Sequence, residues 1–163
     1  LIYLLAKTGS PTWKEKSKGK KLIGVMLLAF ALVIIQLFMG IKVRVAVDGL
    51  WDLSRESWVE TLPFSFLFHR SFSLVLLATF GYLGWLMYQH REGGVTDRIM
   101  FLAVGLGLIL EVLVGITLTY GGFPYWAQPF HLMFASLIFG GLLYFVFREI
   151  ELNRTNLQHE RGV

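Results

Sequence analysis

Four stretches of this chain are apolar without interruption, and none of them alternates. Residues 22–41 and 71–89 contain no charged side chain, and residues 99–147 contain only Glu111. A bilayer-spanning helix needs about 20 mostly apolar residues. The pattern therefore predicts spans over residues 22–43, 63–88, 99–118 and 124–147. Backbone N–H and C=O groups find no water in lipid, so each span must be helical. The every-second-residue rhythm of a membrane β-barrel is missing. Pro63 and Pro124 stand near helix starts, where a missing N–H costs nothing. Short connections make consecutive helices neighbours. The expected fold is all-α, an integral membrane four-helix bundle with up-down-up-down topology over residues 22–147, followed by a cytoplasmic tail over 148–163.

Residues 1–6, Leu-Ile-Tyr-Leu-Leu-Ala, read as the end of another hydrophobic helix, joined to the bundle by a basic linker that ends at residue 21. The chain is accordingly expected to be part of a longer polypeptide. A secretory signal would carry its positive charges before the apolar stretch, and here they follow it.

Composition agrees with the pattern. Of 163 residues, 55% are hydrophobic and 16% charged, against about a quarter charged in a soluble domain. That excludes a soluble globular enzyme, a nucleic-acid-binding domain and a disordered tail. The net charge of +4 then reflects basic loops beside membrane spans, with no nucleic-acid partner implied. Cysteine is absent, which removes disulfides, thiolate metal sites and cysteine catalysis from this stretch.

Lysine and arginine set the expected orientation. Lys7, Lys14, Lys16, Lys18, Lys20 and Lys21, then Arg91 and Arg98, then Arg148, Arg154 and Arg161 share one side. Lys42, Arg44, Arg55 and Arg70 lie on the other. The bias places both termini in the cytoplasm and the loops 44–62 and 119–123 outside. Loop 44–62 mixes Leu50, Trp51, Leu53, Trp58, Val59 and Leu62 with charges, which suits a short amphipathic helix in the membrane interface.

A two-helix repeat runs through the apolar pattern. The first span ends with Gln36 four residues before Gly40, and the third ends with Glu111 four residues before Gly115. The second span opens with Phe68-His69 and the fourth with Phe130-His131. Repeats of this kind place equivalent residues at equal depth. In an up-down bundle the second and fourth spans are diagonal, with axes roughly 12–14 Å apart given about 8–10 Å between neighbours. Two imidazoles reaching inward from those corners leave a gap that one metal fills. A planar macrocycle fits between them, with Gly40 and Gly115 lowering the facing walls. His69 and His131 are thus candidate axial ligands of one haem iron. The competing reading is a pair of histidines hydrogen-bonded to neighbouring helices. Zinc suits the sequence poorly, because no third or fourth ligand stands nearby. His90 and His159 lie among charges at the cytoplasmic ends and are not candidates.

Arg70 follows His69 directly and lies near the interface, where it either pairs with a haem propionate or snorkels to the headgroups. Arg44 and Lys42 close the first span at the same face and offer the same pairing. Glu111 is the only acidic residue within a span and a functional candidate by default. It can orient a ligating histidine, relay protons, or hydrogen-bond between helices as Gln36 would in the matched position. Gly24, Gly81, Gly84, Gly105, Gly107, Gly140 and Gly141 read as close-packing sites.

Taken in order, Gln36-x-x-x-Gly40-x-x-Val43-Arg44, Phe68-His69-Arg70-Ser71, Gly115-Ile116-Thr117 and Phe130-His131-Leu132 resemble the haem A synthase family. The resemblance covers nearly all of residues 22–147. That family is built from two similar four-helix halves, each with a histidine pair. It oxidises a methyl group of haem O to a formyl group, giving haem A for cytochrome oxidase. The N-terminal half holds the substrate haem and carries a Glu one turn before its first histidine. The C-terminal half binds haem b. Here Phe66 stands three before His69 and Gln128 three before His131, and the outer-loop cysteines of many N-terminal halves are missing. Both departures match the C-terminal half.

The resemblance implies a haem A synthase-type oxidoreductase whose haem b half is this stretch. His69 and His131 would ligate iron, and Arg70 and Arg44 would be candidate propionate partners. Haem O and haem A, a second four-helix half, haem O synthase or oxidase assembly factors, and membrane lipids are the implied partners. The implied location is a multi-pass position in the cell inner (plasma) membrane. Two alternatives stand beside it: a non-catalytic membrane cytochrome b that transfers electrons, and a haem-free structural subunit.

Overall fold

A computed structural model describes residues 20–50, 52–90 and 95–160. The expectations for residues 1–19, Trp51, Arg91 and Arg161 lie outside the described residues, as do those for the side chains of Lys20, His90 and His159. All regular structure among the described residues is helical. Helix α1 spans Lys20–Asp48, α2 Trp58–Thr61, α3 Phe64–His90, α4 Val95–Tyr120 and α5 Ala127–Glu160, with a 3₁₀ turn at Arg55–Ser57 leading into α2. Helices α1, α3, α4 and α5 are each long and apolar enough to cross a membrane.

The helix ends depart from the apolar boundaries for local reasons. Helix α1 continues past Val43 because Arg44 pairs with Asp48 one turn on, Nη2 to Oδ1 at 2.8 Å, an i,i+4 contact that supports the extra turn. At the far end of α4, Gly122 takes φ 66° and the Phe123 N–H donates to the Leu118 carbonyl at 3.1 Å. A left-handed glycine with this back-bond is the usual way to satisfy orphan carbonyls. Pro124 then lies in the turn, its carbonyl accepting from the Ala127 N–H at 3.1 Å, so α5 starts three residues later than expected. Nor does α5 stop where the apolar run stops. Its 34 residues make a rod about 51 Å long, and there is no break at the expected start of a tail at residue 148.

Helix α1 packs on α3 and α5, and α4 packs on α5 and α3. The histidine-bearing helices α3 and α5 therefore sit across the ring from each other. The Lys21 ammonium lies 5.6 Å from the Tyr82 ring centre while Gln36 reaches His69, so α1 and α3 run in opposite senses. Between α3 and α4 the rings of Phe80 and Phe101 stack at 4.4 Å and 5°. A Cβ at Gly84 would come within 2.9 Å of Phe101, and one at Gly105 within 3.2 Å of Phe80. In lipid, helices associate through such close packing over small residues. Gly107 and Gly141 also face side chains of the neighbouring helix. Gly24 and Gly81 do not: nothing lies within 4 Å of a Cβ built on either, which corrects the expectation that they are packing sites.

The core divides into two apolar clusters. One holds Leu22, Met26, Leu83, Leu86, Leu142 and Phe145 among its members, at the end nearest the α3–α4 connection. The other gathers Val43, Val47, Trp58, Phe66 and Phe123 at the opposite end. Loop 44–62 belongs to this second cluster. Beyond the end of α1 at Asp48 its described residues are helical only over Arg55–Thr61, and Trp58 is buried against protein. The indole lies 5.6 Å from the Phe123 ring and its N–H donates to the Leu53 carbonyl at 3.2 Å. The expected short helix is present as α2, and it folds onto the bundle as a cap because Trp58 finds a partner in the turn between α4 and α5. Arg55 stacks on Tyr125 at 3.4 Å and donates to the Phe123 carbonyl. That contact holds a non-glycine residue at φ 53°.

Arg148 also differs from its expected place. It is 4% exposed, with Nε 3.6 Å from Asp97 Oδ1, and the Tyr144 hydroxyl donates to the same carboxylate oxygen at 3.2 Å. Asp97 sits in the first turn of α4, where a negative side chain meets the positive end of the helix dipole. Arg148 thus joins α4 to α5 and is not a solvated tail cation.

Candidate functional site

Between the two apolar clusters lies a layer of polar side chains and glycines, and it contains both repeat motifs. His69 falls in the second turn of α3 and His131 in the second turn of α5. Each is faced by the glycine of its own repeat. A Cβ on Gly40 would stand 3.2 Å from His69 Cε1, and one on Gly115 would stand 3.6 Å from His131 Cε1. The absent side chains let α1 and α4 carry their backbones up to the imidazoles, which is the physical content of the repeat.

The polar residue one turn before each glycine also meets its histidine, in two different ways. Gln36 donates its side-chain N–H to the His69 backbone carbonyl at 3.0 Å. Glu111 instead addresses the ring, with Oε1 3.2 Å from His131 Nδ1. Four buried polar atoms of the layer close no hydrogen bond: Gln36 Oε1, Glu111 Oε2, His69 Nδ1 and His131 Nδ1. Buried groups of this kind call for an explanation; for His131 Nδ1 the nearby acceptor is Glu111 Oε1.

The two rings face each other. Their centres are 6.4 Å apart and their planes are inclined by 85°. Two imidazoles on one metal, with metal–nitrogen bonds of about 2 Å and roughly 1.1 Å from nitrogen to ring centre, stand about 6.3 Å apart. The observed separation of the ring centres is close to that spacing. Among the described residues no three His, Cys, Asp or Glu side chains group around a point.

The candidate cations occupy different situations. Arg70 is exposed beside His69, and among the described residues its guanidinium meets no partner. Arg44 is engaged, bonded to Asp48 and to the side-chain carbonyl of Gln128. Gln128, one turn before His131, thereby ties α1 to the start of α5. Sequence reasoning missed this bond, and it missed the Arg55–Tyr125 stack, because residues 84 and 70 positions apart carry no local signal.

The sequence profile of the cytochrome oxidase assembly protein family (COX15-CtaA) matches residues 1–143, a stretch that includes α1, α3, α4, the first half of α5 and both histidines. The chain belongs to this family. No individual curated protein and no solved structure matches it. As a cytochrome oxidase assembly protein of the haem A synthase type, it joins an oxidoreductase family whose chemistry concerns haem, and its four membrane-spanning helices agree with a membrane-associated family.

Proposed function

We propose that this chain is the haem b-binding four-helix unit of a haem A synthase, with His69 and His131 as the two axial ligands of one haem. The observation that carries the reading is the 6.4 Å separation of two imidazoles projected from helices on opposite sides of the bundle, each backed by the glycine of its repeat. Bound there, haem b supplies a one-electron carrier to the family's oxidation of the haem O methyl group to the formyl group of haem A. The residues of this chain hold the rings, exclude lipid and water through the two apolar clusters, and steer the propionates. Arg70 is the stronger propionate partner, being uncommitted, whereas Arg44 is shared with Asp48 and Gln128.

Phe66 and Gln128 occupy the positions one turn before the histidines. Neither can serve as a carboxylate base, so the oxidation itself falls to a companion four-helix unit that holds haem O. In the membrane, the lysine and arginine bias places both termini on the cytoplasmic side of the cell inner (plasma) membrane and the capped end outside, in up-down-up-down order. Haem O synthase and oxidase assembly factors are the partners this role requires.

A pyridine haemochrome spectrum of the purified full chain tests the reading. Protohaem in about one copy per chain is expected, with both His69→Ala and His131→Ala losing it. Wild-type protein without haem, or both variants retaining it, would overturn the assignment. A loaded chain whose gene neighbourhood and complexes contain no companion unit would instead favour a stand-alone electron-transfer cytochrome b.

A further inference from the structure

The two histidines of the site are not backed alike. Gln36 spends its side-chain N–H on the His69 backbone carbonyl, which touches the helix and not the ring. Glu111 stands one turn before Gly115, across from His131, with Oε1 3.2 Å from Nδ1. Both groups are largely enclosed, the side chains of His131 and Glu111 being 29% and 16% exposed. The separation is at the long end of the N–H···O range, and His131 Nδ1 closes no hydrogen bond in this arrangement. Contacts of this type are often long before the ligand arrives and tighten once it is bound.

An imidazole that ligates a metal through one nitrogen usually donates its other N–H to a carboxylate, a backbone carbonyl or water, which fixes the tautomer and strengthens the donor nitrogen. Among the described residues, Glu111 is the one carboxylate in contact with either ring. We propose that Glu111 is a positioning residue for His131. Its carboxylate accepts the hydrogen bond of Nδ1–H, leaves Nε2 to face the iron, and makes His131 the more electron-donating of the two axial ligands. The inference rests on the haem-binding reading above. It adds that the two repeats are chemically unequal, with the acidic repeat holding the oxidised iron more firmly.

The test uses the full chain purified with its haem. Glu111→Gln keeps the shape and an oxygen acceptor but weakens the bond, and Glu111→Leu removes it. The expected results are an upward shift of the haem midpoint potential in Glu111→Gln with the low-spin bis-histidine spectrum retained, and a larger upward shift in Glu111→Leu with haem retention about 10-fold weaker, the lower end for loss of such a partner. Gln36→Leu, which touches the backbone only, should shift the potential least. If Glu111→Gln binds haem with the wild-type potential, or shifts it no more than Gln36→Leu, the positioning role is wrong while the ligation stands. If the wild-type chain carries no haem, the ligation reading itself has failed. Should Glu111→Leu not fold, Glu111→Gln alone decides the matter.

Discussion

Replacing Gly40 by alanine adds one methyl group to α1 at a point where it would stand 3.2 Å from His69 Cε1. Carbon atoms pack best at about 3.5–4 Å, so the ring must retreat by roughly 0.3 Å, and it can do so only by moving against the partner ring or off its rotamer. Overpacking of this kind costs about 1–3 kcal/mol, offset by up to about 1 kcal/mol from the better helix propensity of alanine. The net cost falls on the geometry of the imidazole pair, and at about 1.4 kcal/mol per decade it weakens haem retention by about tenfold. Gly115 occupies the matched place in the second repeat, but a methyl there meets His131 Cε1 at 3.6 Å, an ordinary contact. Gly115→Ala therefore keeps the haem and gains thermal stability. The assay is the rate of haem transfer from each purified variant to excess apo-globin, with melting in detergent alongside. If the two variants lose haem at the same rate, or Gly115→Ala loses it faster, the glycines do not set the ring positions and the reasoning fails.

Three further changes probe the rest of the fold. Asp97→Ala removes a carboxylate from the buried Arg148 guanidinium and should cost about 3–5 kcal/mol, seen as a lower melting temperature in detergent with the haem absorption maximum unmoved. Trp58→Ala strips the centre of the cluster that caps the bundle and should cost about 3–5 kcal/mol, with residues 49–62 becoming sensitive to protease in detergent. Arg70→Ala should weaken haem retention more than Arg44→Ala, measured by the same globin competition, because Arg44 is held by Asp48 and Gln128 while the Arg70 guanidinium meets no partner among the described residues.

The four spans were legible because lipid offers the backbone nothing, so each helix must be written as a continuous apolar run. The paired glycines and histidines were legible for a related reason: a repeat preserves spacing, and spacing survives in one dimension. What escaped was governed by groups far apart in sequence or outside the lipid. Arg148 reads as one more basic residue of a tail until Asp97 and Tyr144 are seen beside it. Trp58 reads as an interfacial anchor until Phe123 is seen to receive it. Helix α1 overshoots its apolar run because of the Arg44–Asp48 pair, a contact that a hydropathy boundary cannot register. Glu111 was visible as an oddity, but its choice of the ring over the backbone appears only in three dimensions.

The closest helix packing lies within each repeat, α1 on α3 and α4 on α5, with α1–α5 and α3–α4 forming the seam between them. Each repeat contributes one imidazole to that seam. The bundle is thus two helix pairs, one per repeat, joined in a single chain. Neither pair holds both histidines, so under the proposed ligation neither would make the site alone. Two fragments divided between α3 and α4 and produced together would reconstitute the imidazole pair only by meeting across the seam, and the porphyrin would act as the bolt that keeps them joined.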